Sequence, residues 1–149
     1  MRIQDVMSKN VVSAGKETGV AAARERLRRE EIDHLVIVEG KRVIGVVAGR
    51  DIIGAADDVP LSSVMSRNVA TIAPEATLRR AAGIMRGRAV GCLPVVSEGR
   101  LVGIVTTSDL LTALAKGDTH TAPQRDRITL RKRGPNADTA HRASPAASK

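Results

Sequence analysis

The residues best placed to do chemistry lie in one stretch, Gly103-Ile104-Val105-Thr106-Thr107-Ser108-Asp109. An apolar run leads straight into hydroxyl side chains and a carboxylate, and then into Leu110-Leu111-Thr112-Ala113-Leu114, which reads as a helix. A helix N-terminus leaves backbone N–H groups unpaired and carries partial positive charge, which suits a phosphate. Thr106 and Ser108 can add hydroxyl donors to that phosphate. Asp109 is an acceptor and suits the two donors of a ribose diol. Phosphate donors beside a diol acceptor describe a site for a nucleoside phosphate. Ser108 or Asp109 would equally serve as a plain helix cap, and the local pattern leaves both readings open.

Other reactive side chains are few. His34 and Cys92 each precede an apolar run, but two such ligands without suitably spaced carboxylates make a poor metal site. No nucleophile, base and orienting group can be assembled from three His, one Cys and scattered carboxylates. The expectation is therefore a protein that is not an enzyme, with no catalytic and no metal-binding residues. Met7 and Met65 read as packing residues. The Arg24, Arg26, Arg28, Arg29 run, with Glu25, Glu30 and Glu31 among it, reads as a solvated helix face.

These residues are positioned by a repeat. Val6-Met7-Ser8-Lys9-Asn10-Val11 returns as Val64-Met65-Ser66-Arg67-Asn68-Val69, an offset of 58 residues. The same offset carries Glu17 onto Glu75, Leu35 onto Leu93, Gly45 onto Gly103 and Asp51 onto Asp109, with no gap from Val6 to Leu111. Each copy predicts a short strand (Val11 to Ser13; Val69 to Ile72) and then a helix. Val20, Ala23 and Leu27 form the apolar face of one helix. Leu78, Ala81, Ala82 and Met85, behind a Thr77 N-cap, form that of the other. Two β-branched strands follow through Gly-containing turns, and a helix beginning at Asp51 or Asp109 ends each copy. The expected fold is α+β: two β-α-β-β-α repeats, 1–58 and 59–116, packed sheet to sheet with pseudo-twofold symmetry and two clefts between them. One such unit alone would be marginal in size.

Composition sets the limits. Phe, Tyr and Trp are absent, so the core is aliphatic and any base is held by aliphatic groups and backbone. That disfavours nucleic-acid modules built on aromatic platforms. The opening MRIQDVMSK has no apolar stretch typical of a secretory signal, and no run reaches the roughly 18 apolar residues of a membrane span. A single cysteine allows no internal disulfide, as in a reducing compartment, so a cytoplasmic location is expected. Half of the net charge of +8 falls in residues 117–149. That segment lacks a sustained apolar pattern and is expected to be a disordered basic tail. His120 and His141 would be solvated there. Arg131-Lys132-Arg133 would be its point of contact in an alternative role, binding nucleic acid or acting as a scaffold.

The Val-Met-Ser start, Leu93-Pro94-Val95-Val96 and the Gly-Ile-Val-Thr-x-x-Asp ending, in tandem over roughly residues 1–116, resemble the cystathionine-β-synthase-like (CBS) domain pair, or Bateman module. The resemblance implies a regulatory ligand sensor that takes AMP, ADP, ATP, S-adenosylmethionine or NAD in its cleft. It also implies a homodimer and a separate effector protein. It implies Asp109 on the ribose, Thr106 with Ser108 on phosphate, and Thr71, Ile72, Val90, Cys92 and Pro94 around the adenine. In the first copy Ala48 replaces the Thr and Val36 the Pro. Asp51, helped by Arg50 as a phosphate donor, is therefore expected to form a weaker second site.

Overall fold

Helical spacing of apolar residues is realised in α2 (Val20–Glu30), where Val20, Ala23 and Leu27 are buried. In α3 (Leu78–Arg88) the buried residues are Ala81 and Met85, and the Thr77 side chain caps the helix by accepting from the Arg80 N–H at 3.1 Å. Ala82, expected on the buried face, is exposed, and Ile84 packs on the core instead. In this computed structural model residues 1–117 are described, and Met1–Thr112 form one compact unit. The 118–149 part of the expected tail, with its basic run and two histidines, lies outside the described residues.

The order of elements is α1 (Ile3–Val6), β1 (Ser13–Ala14), α2, β2 (His34–Glu39), β3 (Arg42–Ala48), α3, β4 (Cys92–Ser97), β5 (Arg100–Thr106) and α4 (Thr107–Gly117), with 3₁₀ turns at Gly49–Ile52 and Leu61–Ser63. β2 pairs antiparallel with β3, and β4 with β5. The β4–β5 turn places Glu98 and Gly99 at positive φ, 51° and 75°, as a tight two-residue hairpin requires.

Two departures from the expected repeat have simple causes. β1 runs parallel to β2, and the Val36 N–H donates to the Val12 carbonyl at 3.3 Å. Proline stands at the matching position in the second copy. Pro94 has no N–H to give, and the expected Val69–Ile72 strand shrinks to one bridge between Ile72 and Val95. The closing helix also differs between copies. In the second it starts at Thr107, two residues before Asp109. In the first it is only the Gly49–Ile52 turn around Asp51, because Ala48 offers no side-chain acceptor and Gly54, at φ 81°, bends the chain away.

The core divides in two, and the segments before each repeat exchange places. One cluster joins Val20, Leu35, Ile37 and Val47 to Leu61 and Met65. The other joins Ala81, Leu93, Val95 and Val105 to Ile3, with Val6 and Met7 packed against it. Ser8 and Ile104 exchange two backbone hydrogen bonds at 2.9 Å, and Ser66 and Val46 do the same at 2.9 and 3.1 Å. The Val-Met-Ser segment of each repeat thus lies along the last strand of its sister. Arg24 departs from the solvated reading of its helix face. Its guanidinium meets Asp57 at 2.8 Å and the carbonyls of Ile52 and Ala55 at 2.9 and 3.1 Å, holding the chain that leaves the first repeat.

Candidate functional site: the cleft at the head of α4

Thr106 and Asp109 cap α4 reciprocally. The Asp109 carboxylate accepts from the Thr106 N–H at 2.8 Å, and the Thr106 Oγ1 accepts from the Asp109 N–H at 3.2 Å. The first copy keeps only half of this: Asp51 accepts from the Ala48 N–H at 2.8 Å, with no return bond from a hydroxyl. Thr107, which sequence reasoning passed over, anchors the start of α4. Its N–H and hydroxyl both donate to the Gly91 carbonyl, at 3.0 and 3.2 Å. The hydroxyl run in the sequence was the available signal for it.

A cleft of about 450 Å³ opens at this point. The second repeat contributes Gly91, Ile104 and Thr106 through Asp109. The first contributes Ser8, Asn10 and Val12, then Glu31, Ile32, Asp33 and His34. Thr106, Ser108 and Asp109 are therefore brought together as expected. The expected adenine residues are not brought to them. Val90 and Cys92 line a second, smaller pocket of about 80 Å³ with Asp51, Arg50, Ala48 and Ala70. Pro94 is fully buried, and Ile72 is buried in the second core. Thr71 is exposed and lines neither pocket. The cause is the crossing of the repeats. The first strand and β2 entry that face Asp109 belong to the opposite copy, so Val12 and Ile32 stand where Ala70 and Val90 stand beside Asp51. The 58-residue offset held the signal for this, read across the pair instead of along one copy.

His34 lines both pockets. Burial holds its imidazole below the ordinary histidine range; Asp33 and Asp51 oppose this and Arg50 adds to it. Burial alone pushes the Cys92 thiol up to about 11, from a starting value of 9.0. Cys92 should therefore carry about a hundredfold less thiolate than an ordinary cysteine at pH 8. Timed reaction with DTNB should be slowed by at least that factor in the native protein and restored in urea. Rapid native labelling would contradict the buried placement. Among the described residues no group of three His, Cys, Asp or Glu could hold a metal ion.

The CBS domain family model matches residues 3–58 and 61–116, and the chain belongs to this family. It is 30% identical to a putative acetoin utilization protein (AcuB) from Vibrio cholerae, covering 83% of this chain and 98% of that one, with a TM-score of 0.73. The CBS domain pair of MJ0100, in complex with 5′-methylthioadenosine and S-adenosyl-L-methionine, is 28% identical over 80% of this chain and 98% of its own, also at 0.73. An inosine-5′-monophosphate dehydrogenase of Korarchaeum cryptofilum is 32% identical over 73% of this chain, which spans 23% of the length of that enzyme. The chain likewise spans 23% of a homoserine O-acetyltransferase of Methanocorpusculum labreanum. No described helix is long and apolar enough to cross a membrane.

Proposed function

We propose that the chain is a regulatory module, not an enzyme, that binds an adenosine-containing small molecule in the cleft at the head of α4. The observation that carries this reading is the cleft itself. It has the volume of a small-molecule site, and both repeats line it around the reciprocally capped Asp109. One Asp109 carboxylate oxygen holds the Thr106 N–H. The other is the acceptor for a ribose diol, and the Thr106 hydroxyl keeps its own proton to donate. Val12 and Ile32 supply aliphatic surface for the base. The complex of the MJ0100 pair with two adenosine derivatives supports the ligand class. The pocket at Asp51, about 80 Å³, is too small for such a ligand without opening, and it ranks second. A ligand touching both repeats changes their relative placement only as far as it binds one arrangement more tightly. An effector protein and self-association into a dimer complete the proposed role, in a cytoplasmic setting.

Titration calorimetry with S-adenosylmethionine, 5′-methylthioadenosine, AMP and ATP tests the reading. At least one should bind saturably. Asp109→Ala should weaken it by roughly 10- to 100-fold, the scale of hydrogen bonds to a charged group, and Asp51→Ala by less than about threefold. Asp109→Asn, which can still cap α4, separates loss of the ribose acceptor from loss of the helix start. Equal effects at Asp109 and Asp51 would sink the assignment.

A further inference from the structure

We infer that the Asp109 cleft selects adenosine derivatives that carry no phosphate chain, and favours those bearing a positive charge next to the ribose. This rests on the adenosine reading of the same cleft and deepens it. Among the described residues three carboxylates line the space: Asp109 from the second repeat, and Glu31 and Asp33 from the first. Among the described residues no lysine or arginine lines it, in a chain whose net charge is +8. The acidic cleft is thus opposite in sign to the molecule around it. Among the described lining residues His34 is the one able to become cationic, and burial works against its protonation. Arg50 faces the smaller pocket.

The helix start, where a phosphate would be expected to sit, is largely occupied by protein acceptors. The Thr106 N–H is held by the Asp109 carboxylate, the Thr107 N–H by the Gly91 carbonyl and the Asp109 N–H by the Thr106 hydroxyl. An anion would find few free donors there and three carboxylates nearby. A thioether substituent loses nothing in such a place, and a sulfonium or amine gains attraction from Glu31 and Asp33. Both carboxylates belong to exposed residues at the rim, so their effect is one of discrimination between ligands and weakens with salt.

The test uses the full chain and a Glu31→Gln/Asp33→Asn variant, which keeps side-chain size and removes two charges. The same four ligands are titrated at low and high salt. In the wild type, S-adenosylmethionine or 5′-methylthioadenosine should bind at least about tenfold tighter than AMP or ATP. In the variant, S-adenosylmethionine should weaken by about three- to tenfold and ATP should strengthen by a similar factor, with 5′-methylthioadenosine unchanged. These shifts should shrink in high salt. ATP or AMP binding tightest in the wild type, or affinities indifferent to the two substitutions, would overturn the charge selection and leave the adenosine site standing. Failure of all four ligands to bind would overturn both.

Discussion

Gly103→Val is expected to lower stability by about 3 kcal/mol, the upper end of what overpacking costs. Gly103 sits within β5 opposite Val95. A Cβ at this position would lie 2.6 Å from Met7 Sδ, 3.1 Å from Met7 Cγ and 3.0 Å from the Ser8 carbonyl oxygen. The methionine tip can swing aside. The carbonyl cannot, because Ser8 is held to Ile104 by two backbone hydrogen bonds at 2.9 Å. The substitution must therefore lift the exchanged segment off the strand. Gly45 faces Met65 and the Ser66 carbonyl in the same way, at 2.5 and 3.1 Å, so Gly45→Val should cost a similar amount. Gly83 in α3 is the control. A Cβ there meets nothing within 4 Å, and Gly83→Ala should gain about 0.5–1 kcal/mol from helix propensity. Urea unfolding followed by far-ultraviolet circular dichroism measures all three, since a chain without Trp or Tyr gives no useful fluorescence. A Gly103→Val protein as stable as the wild type would show that the close approach is not what holds the segment. A loss of 3 kcal/mol is a large share of the roughly 5–15 kcal/mol of a typical domain.

These glycines also show how far the sequence could be read. Gly45 and Gly103 were visible as a repeated pair inside β-branched strands, and the 58-residue offset exposed the tandem α+β fold. What the offset did not show is which copy each segment joins. A period-2 strand pattern states that a face is buried but not against what, so each Val-Met-Ser start was read with the strand after it. The residues expected around the adenine were grouped with Asp109 for the same reason, and the structure lines a different pocket with two of them. Val90 and Cys92 were carried over from the family resemblance onto the copy that holds Asp109, whereas β4 enters beside Asp51. Local chemistry was legible where it depends on neighbours in the chain. Thr106 and Asp109 are three residues apart, and their reciprocal cap follows from that spacing together with the hydroxyl and carboxylate at its two ends. Glu31 and Asp33 are 78 and 76 residues from Asp109. Only the crossing of the repeats brings them to its cleft.

Ile3→Ala puts that crossing to its most direct test, and it should cost about 3 kcal/mol. Ile3 is fully buried, in the cluster that contains Leu93, Val95 and Val105. Its backbone is fixed as well: the Ile3 N–H donates to the Ala76 carbonyl and the Gln4 N–H to the Pro74 carbonyl, both at 2.9 Å. Removing buried methyl groups from an isoleucine or leucine costs about 2–5 kcal/mol, depending on how far the cavity collapses. Leu93→Ala, at the centre of the same cluster, should fall in that range too. Because the two side chains share one core, the double variant should depart from the sum of the single losses by more than about 0.5 kcal/mol. Ile3→Ala paired with Leu35→Ala of the other cluster should add within that margin. Additivity of Ile3 with Leu93, or coupling of Ile3 to Leu35, would place the N-terminal segment with its own repeat and remove the exchange. The same segment also bears on the proposed ligand site, because Ser8 and Asn10 follow directly from it into the wall of the Asp109 cleft. A segment anchored in the second core and lining the cleft from the first-repeat side ties the two halves of the site together, so loosening Ile3 should weaken ligand binding in step with stability.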